Sequence, residues 1–151
     1  MASYLLSTHA LYEFANGSRS PAVAFRDWCT ALGPRDLLFA SEISLGELRW
    51  SVEQIPNPKQ RDHWRHLLDH KIPSYFKSQL LPFALDEVRE WGLVRLSCVD
   101  GGDPLPTEET QLIGQAIANE LILVGPKTPT HDLIGHAHVD PYDGRDWPTA
   151  L

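Results

Sequence analysis

The chain has 151 residues, of which 42% are hydrophobic and 22% charged, and its formal net charge is -7. This composition predicts a single globular domain over residues 1–151 and excludes a disordered chain. The acidic balance argues against tight, sequence-independent binding to nucleic acid, which needs many Lys and Arg contacts to phosphates. No apolar run approaches the roughly 20 residues of a membrane span. Cys29 and Cys98 do not make a disulfide framework. We therefore expect a cytoplasmic protein that does not enter a membrane.

The first half of the chain alternates short apolar runs with helix-like segments. Strands are predicted at 4–6 and 37–40, and helices at 8–16, from near Pro21, at 44–55 and at 58–71. The second of these helices is indicated by apolar residues at helical spacing, namely Phe25, Trp28, Cys29 and Leu32. Ser44 and Glu47 have the spacing of a capping box, which predicts a helix start there.

The second half continues the same alternation. Strands are predicted at 80–83, 121–124 and 136–139, and helices at 85–97 and from Thr107 onward, with a turn at 100–104 between the helices. Thr107 can cap its helix, and the spacing of the apolar residues after it predicts a buried face of Leu112, Ile113, Ala116 and Ile117.

Strands that alternate with helices predict an α/β fold, with a central parallel sheet of four or five strands and helices on both faces. We expect Leu5, Leu38, Phe83 and Leu123 in the core. Ligands of such sheets bind outside the carboxyl ends of the strands. This rule places residues 7–9, the helix that carries Glu47 and the segment after Val124 at one edge.

Each polar residue at this edge has a structural and a functional interpretation. Glu47 is either a metal-ligating carboxylate or the acidic member of a capping box. Glu108 and Glu109 are either site residues or first-turn acids that the helix dipole favours. Ser7 is either an N-cap or a nucleophile, and no G-x-S-x-G elbow surrounds it to favour the second interpretation.

The histidines fall into two groups. His63, His66 and His70 share a helix face in a stretch rich in charges, which favours a solvated surface. His136, His138 and Asp140 alternate and would point to the same side of a strand. Such a set could hold Zn²⁺, but no fourth ligand is evident, and we expect no tight metal site there.

Taken together, these motifs resemble the PIN-domain family, and within it the FitB- and VapC-like toxins of bacterial toxin–antitoxin pairs. The family opens on a strand followed by L-L-D-T-N-V, and this chain has L-L-S-T-H-A at 5–10. The family's S-x-I-T-x-A-E-L-R corresponds to S-E-I-S-L-G-E-L-R at 41–49. The run L-L-P-F at 80–83 and the acidic helix start at Glu108 and Glu109 extend the resemblance over nearly the whole chain. It implies a three-layer α/β/α fold.

The resemblance also implies a site of three or four acidic residues, which hold Mg²⁺ or Mn²⁺ and activate water for RNA cleavage. Its first aspartate falls on Ser7, its glutamate on Glu47, its third acid on Glu109, and its fourth position on Lys127, near Asp132. His9 replaces the usual asparagine. We therefore predict catalytic positions at Ser7, Glu47 and Glu109, a weak metal site at the two glutamates, and a Lys127 ammonium that pairs with one of them.

Two functions follow from the resemblance. In the first, the metal site is degraded, no cofactor is needed, and the protein acts by binding to an antitoxin-like partner, a sister toxin or RNA. In the second, a rebuilt site with Glu47, Glu109 and either His9 or Asp132 cleaves RNA with Mg²⁺ or Mn²⁺. A structural interaction domain unrelated to toxins remains a third reading. The resemblance further implies a homodimer, and an amphipathic partner segment is expected to dock near Tyr12, Phe14 and Trp50.

Overall fold

The computed structural model describes residues 1–20, 22–99 and 104–142. Within these residues five strands form one sheet in the order β3-β2-β1-β4-β5. The strands are β1 (Ser3–Leu6), β2 (Leu37–Ser41), β3 (Leu80–Leu81), β4 (Ile122–Val124) and β5 (His138–Val139). Every neighbouring pair is parallel, so the predicted parallel α/β sheet is confirmed.

Helices connect the strands and cover the sheet. They are α1 (Thr8–Asn16), α2 (Val23–Thr30), α3 (Glu42–Val52), α4 (Pro58–His66), α5 (Ile72–Phe76), α6 (Leu85–Val99), α7 (Thr107–Ala118) and α8 (Pro129–Ile134). A π-helical turn at Leu67–Lys71 joins α4 to α5, which makes this helical stretch longer than predicted. None of the helices in the described part of the chain is long and apolar enough to span a membrane.

The side chains of β1 point alternately to the two faces of the sheet, and each face carries its own part of the hydrophobic core. Successive side chains of a strand point to opposite faces, and both Leu5 and Leu6 are fully buried. Leu6 packs in a cluster built mainly from α1–α5, with Leu11, Phe25, Leu48 and Trp64 among its members. Leu5 packs in a second cluster with residues of α6 and α7, including Val94, Leu112 and Ile113. Helices therefore lie on both faces, as the three-layer prediction requires.

The predicted core residues are confirmed in part. Leu5 and Leu123 are fully buried, and the half-buried Leu38 packs against the first cluster. Phe83 is outside both clusters. It is half-buried and packs edge-to-face on Trp91 with 5.9 Å between the ring centroids. Its strand ends at Leu81, because Pro82 has no N–H to continue a ladder.

Several predicted helix ends were wrong. Helix α3 starts at Glu42, where Ser41 Oγ accepts from the backbone N–H of Ile43 at 3.1 Å, so the capping box of Ser44 and Glu47 does not form. Thr107 is the first residue of α7 and does not cap it. Helix α2 ends at Thr30, which leaves Leu32 beyond it. The predicted start at Pro21 and the turn residues 100–103 lie outside the described residues.

Candidate functional site

The candidate site lies at the carboxyl ends of β1, β2 and β4. Tyr4 pairs with Leu38 and Ile122 across the sheet, and Leu6 pairs with Val124. The strand ends are therefore level with one another. This register brings the segments after β1 and β4 together at one edge, as the sequence predicts.

Ser7 caps helix α1. Its Oγ accepts from the backbone N–H of Ala10 at 3.3 Å, and its own N–H donates to the carbonyl oxygen of Val124 at 2.9 Å. The residue is 2% exposed. The N-cap interpretation is confirmed, and the hydroxyl is directed at the backbone of its own helix.

Ser7 also packs directly against Gly125. A Cβ atom at position 125 would lie 2.3 Å from Ser7 Oγ and 2.8 Å from Ser7 Cβ. Both distances are shorter than any ordinary contact, so only glycine fits here. Gly125, at the end of β4, therefore leaves little room beside position 7 for a longer, metal-binding side chain.

Thr8 connects the start of α1 to Glu47 on α3. Its hydroxyl donates to Glu47 Oε1 at 2.5 Å and lies 3.1 Å from the hydroxyl of Ser44. Burial raises the pKa of Glu47, the hydrogen bond from Thr8 opposes that shift, and the charges of Glu108 and Glu109 add to it. Glu47 is therefore near both acidic residues of α7, and the structure brings these three carboxylates into one region.

A pocket of about 860 Å³ lies in front of this region, and His9, Glu47, Trp50, Glu108 and Gln111 are among the residues that line it. Burial lowers the pKa of His9, although the charges of Glu109 and Glu13 oppose this shift. His9 Nδ1 is buried without a hydrogen-bond partner in the described part of the chain. The pocket thus combines a neutral imidazole with two carboxylates and an exposed indole.

Glu109 is hydrogen-bonded to a histidine that the sequence analysis missed. The backbone N–H of Thr128 donates to His131 Nδ1 at 3.0 Å, so Nε2 carries the proton and donates to Glu109 Oε1, also at 3.0 Å. His131 is 2% exposed and occupies the third position of α8. The run T-P-T-H at 128–131 carried a signal for it, because Thr followed by Pro often begins a helix and the third position faces back to the cap.

Lys127 pairs with neither Glu47 nor Glu109, which contradicts the predicted pairing. Its ammonium lies 2.8 Å from Asp132 Oδ1, and this hydrogen bond is the main reason why the pKa of Asp132 is lowered. The backbone N–H of Lys127 donates to Asp140 Oδ2 at 3.0 Å. Lys127 is therefore held by Asp132 and Asp140, two residues that follow it in the chain.

His136 and His138 form a hydrogen-bonded pair beside β4. His138 Nε2 contacts the carbonyl oxygen of Gly125 at 2.9 Å and must donate to it, so His138 Nδ1 accepts from His136 Nε2 at 3.1 Å. Burial is the main cause that lowers the pKa of His136 to about 3 and also lowers that of His138. Asp140 instead accepts from the backbone N–H groups of Lys127 and Tyr142.

The remaining predicted residues are distributed as follows. His63, His66 and His70 are exposed, which confirms the solvated face. Tyr12 stacks on Trp64 with centroids 5.0 Å apart, and Phe14 packs against Phe76, whereas Trp50 is 72% exposed. Among the described residues no group of three or more His, Cys, Asp or Glu side chains is arranged to hold a metal ion.

Comparison with known proteins finds relatives in structure alone, because no family profile and no curated protein sequence matches the chain. A crystal structure of FitAcB from Neisseria gonorrhoeae superposes with a TM-score of 0.78 at 21% identity, covering 92% of this chain and 98% of that one. VapBC2 from Rickettsia felis, bound to a DNA fragment from its promoter, gives 0.68 at 16% identity, with coverage of 91% and 97%.

A third similar structure is VapBC-5 from Mycobacterium tuberculosis, a member of the VapBC family of toxin–antitoxin systems. Its TM-score is 0.62 at 18% identity, over 92% of this chain and 97% of that one. The chain therefore has the PIN-domain fold of these proteins over nearly its full length, as the resemblance in its motifs implies.

Proposed function

We propose that this chain is a PIN-domain protein of the FitB and VapC toxin type, which acts by binding an antitoxin-like protein and cleaves RNA slowly or not at all. The observation that carries the proposal is the state of the acidic site. Ser7 supplies no charge and is committed to the cap of α1, while Glu109 is bound by the buried His131. The fold of the similar structures, which are toxin–antitoxin assemblies by name, supports the partner.

We infer that these residues fit Mg²⁺ or Mn²⁺ poorly. Mg²⁺ requires oxygen ligands in a near-octahedral arrangement and is held largely through carboxylates. At an effective dielectric near 20, a unit charge about 4 Å away contributes roughly 4 kcal/mol to the binding of a charged group. Replacing an aspartate by Ser7 removes one such contribution. Thr8 and His131 also use one oxygen each of Glu47 and Glu109.

A second candidate function is an active Mg²⁺- or Mn²⁺-dependent endoribonuclease with a rebuilt site. The pocket lined by His9, Glu47 and Glu108 favours it, because burial and the nearby charge of Glu108 both raise the pKa of Glu47, and a bound cation would relieve this unfavourable charge. Asp132 is less available as a metal ligand in this rebuilt site, since its carboxylate is paired with Lys127.

One assay separates the two functions. Wild type, Glu47→Ala and the double variant Ser7→Asp with Lys127→Asp are incubated with one RNA mixture in Mg²⁺ and in Mn²⁺. We expect negligible cleavage by wild type and Mn²⁺ binding by the double variant that is at least roughly tenfold tighter, measured by calorimetry. Glu42→Ala is the matched control, because Glu42 is an exposed acid on the same helix as Glu47.

Robust cleavage by wild type that EDTA and Glu47→Ala both abolish, with Glu42→Ala unaffected, would establish the rebuilt nuclease instead.

The partner is tested separately by affinity purification of the tagged chain from its native host. We expect a small protein to co-purify, and Trp50→Ala to reduce its yield. Leu93→Ala is the control, since Leu93 is a large exposed apolar residue on α6 that does not line this pocket. If no small protein is enriched, the binding function is wrong.

A further inference from the structure

His66 and His70 bring their imidazole rings side by side on the protein surface, where α4 passes into the π-helical turn. Their ring centroids are 5.1 Å apart, and the ring planes are inclined by 47°. Both residues are exposed. Neither ring makes a hydrogen bond within the described part of the chain. Each imidazole therefore keeps a nitrogen that can bind a ligand from solvent.

The separation of the two rings agrees with the separation that one shared metal ion imposes. Zn²⁺ binds an imidazole nitrogen at about 2.0–2.1 Å, and that nitrogen lies about 1.2 Å from the ring centre, so the ion is about 3.2 Å from each centroid. With a tetrahedral angle at the ion, the two centroids are then about 5.2 Å apart. The observed separation is 5.1 Å. The spacing of the two side chains therefore already suits a shared ion.

Other histidines of the chain are engaged differently. His136 and His138 have the same centroid separation of 5.1 Å, but their facing nitrogens are hydrogen-bonded at 3.1 Å and His138 also binds a backbone carbonyl oxygen. His63 is three residues before His66, but its ring packs edge-on against Trp64 with 6.3 Å between the centroids. Helical spacing alone therefore does not select the pair, whereas ring geometry and exposure do.

The backbone that carries the pair is anchored in the core. Leu67 and Leu68 lie between the two histidines in the chain, and both are buried in the first cluster. His70 is inside the π-helical turn Leu67–Lys71, and turns of this kind are rare and often found at functional sites. Because packing already fixes the backbone, binding of an ion has to order only two side chains, which keeps its entropic cost small.

The arginines near the pair are neutralised by carboxylates. Arg65 is paired with Glu53 and Asp62, and Arg49 is paired with Glu53 and Asp69. Carboxylates on the same surface therefore offset the repulsion that these guanidinium groups would exert on a cation.

We infer that His66 and His70 together bind one divalent transition-metal ion of the Zn²⁺ or Ni²⁺ type, with water completing its coordination. Imidazole nitrogen suits these ions, whereas carboxylate and other oxygen ligands suit Mg²⁺ and Mn²⁺. This histidine pair therefore differs from the acidic pocket in its place on the fold and in its ligand chemistry. The inference is independent of the proposed function.

The test titrates the untagged full chain with ZnCl₂, and separately with NiCl₂, by calorimetry, while NMR follows the imidazole protons of its 7 histidines in the Zn²⁺ titration. We expect one ion per chain, with the largest shifts at His66 and His70. His66→Ala and His70→Ala should each raise the dissociation constant at least roughly tenfold, because a single imidazole then remains. Zn²⁺ should also raise the melting temperature of wild type more than that of His70→Ala, since an ion that binds the folded state stabilises it.

Three controls complete the design. His63→Ala should leave the dissociation constant unchanged, because His63 is an exposed histidine of the same helix whose ring is not part of the pair. Cys98→Ser should also leave it unchanged, which excludes binding by this free thiol. A large excess of Mg²⁺ should not displace the ion, since Mg²⁺ prefers oxygen ligands. Absence of saturable binding, a loss in His63→Ala as large as in His66→Ala, a loss in Cys98→Ser, or displacement by Mg²⁺ would each overturn the inference.

Discussion

The contact between Gly125 and Ser7 gives the sharpest prediction about the site edge. In Gly125→Ala, the added methyl group would lie 2.3 Å from Ser7 Oγ and 2.8 Å from Ser7 Cβ. Neither side can yield easily, because Ser7 is buried and its N–H is hydrogen-bonded to Val124, the residue before Gly125. The clash must therefore move the β1–α1 junction away from the end of β4.

The magnitude follows from two contributions. Overpacking a rigid site costs about 1–3 kcal/mol, and loss of the Ser7 cap on α1 costs about 1 kcal/mol more. For a chain of this size, 1 kcal/mol lowers the melting temperature by about 2–4 °C. We expect Gly125→Ala to melt roughly 5–15 °C below wild type when unfolding is followed by circular dichroism.

Second substitutions at position 7 test the mechanism. Ser7→Ala removes only the nearer atom of the clash and should restore part of the stability of Gly125→Ala. Ser7→Gly removes both atoms and should restore most of it, because glycine at an N-cap costs only a few tenths of a kcal/mol. A Gly125→Ala variant within 1–2 °C of wild type, or a double variant with Ser7→Gly no more stable than Gly125→Ala, would refute the reasoning.

Three further predictions concern titrating and hydrogen-bonding groups. Glu47→Gln should raise the melting temperature at pH 7 by about 2–4 °C, because a carboxyl whose pKa is raised on folding loses stability as the pH rises through its folded pKa. The gain should vanish below about pH 4.5, and a variant less stable at pH 7 would contradict this sign. His131→Ala should lower stability by about 1–3 kcal/mol in urea titrations, since it leaves Glu109 and the N–H of Thr128 without their partner; an unchanged midpoint would count against that network. The pKa of His136 is lowered to about 3, so the wild type should lose stability as the pH falls below about 6.5, and His136→Gln should lose less between pH 7 and pH 5 if the histidine is responsible.

Order along the chain determined most of the fold. The alternation of apolar runs with helix-like segments predicted a parallel sheet, and all five strands lie in it. The prediction succeeds because the spacing of apolar residues along a segment matches the repeat of the helix or strand whose apolar side is buried. The same argument placed Ser7 and Glu47 at one edge, since the carboxyl ends of parallel strands meet there.

Helix boundaries and partners were decided by tertiary structure. Ser44 and Glu47 have the spacing of a capping box, but β2 delivers the chain to a helix that begins at Glu42, which carries Ser44 into the buried contact with Thr8. Local capping signals compete with one another, and the packing of the strand before them decides which one is used.

The pairing of charges also could not be predicted from the sequence. Lys127 was expected to neutralise Glu47 or Glu109, but it pairs with Asp132, while the distant His131 takes Glu109. Ion pairs and hydrogen bonds depend on distances of about 3–4 Å between side chains from different elements. The sequence predicts only which residues follow the end of a strand, and this does not give such distances. The sequence therefore determined which edge of the sheet carries the polar residues, and the tertiary structure determined which of them remain open to a ligand.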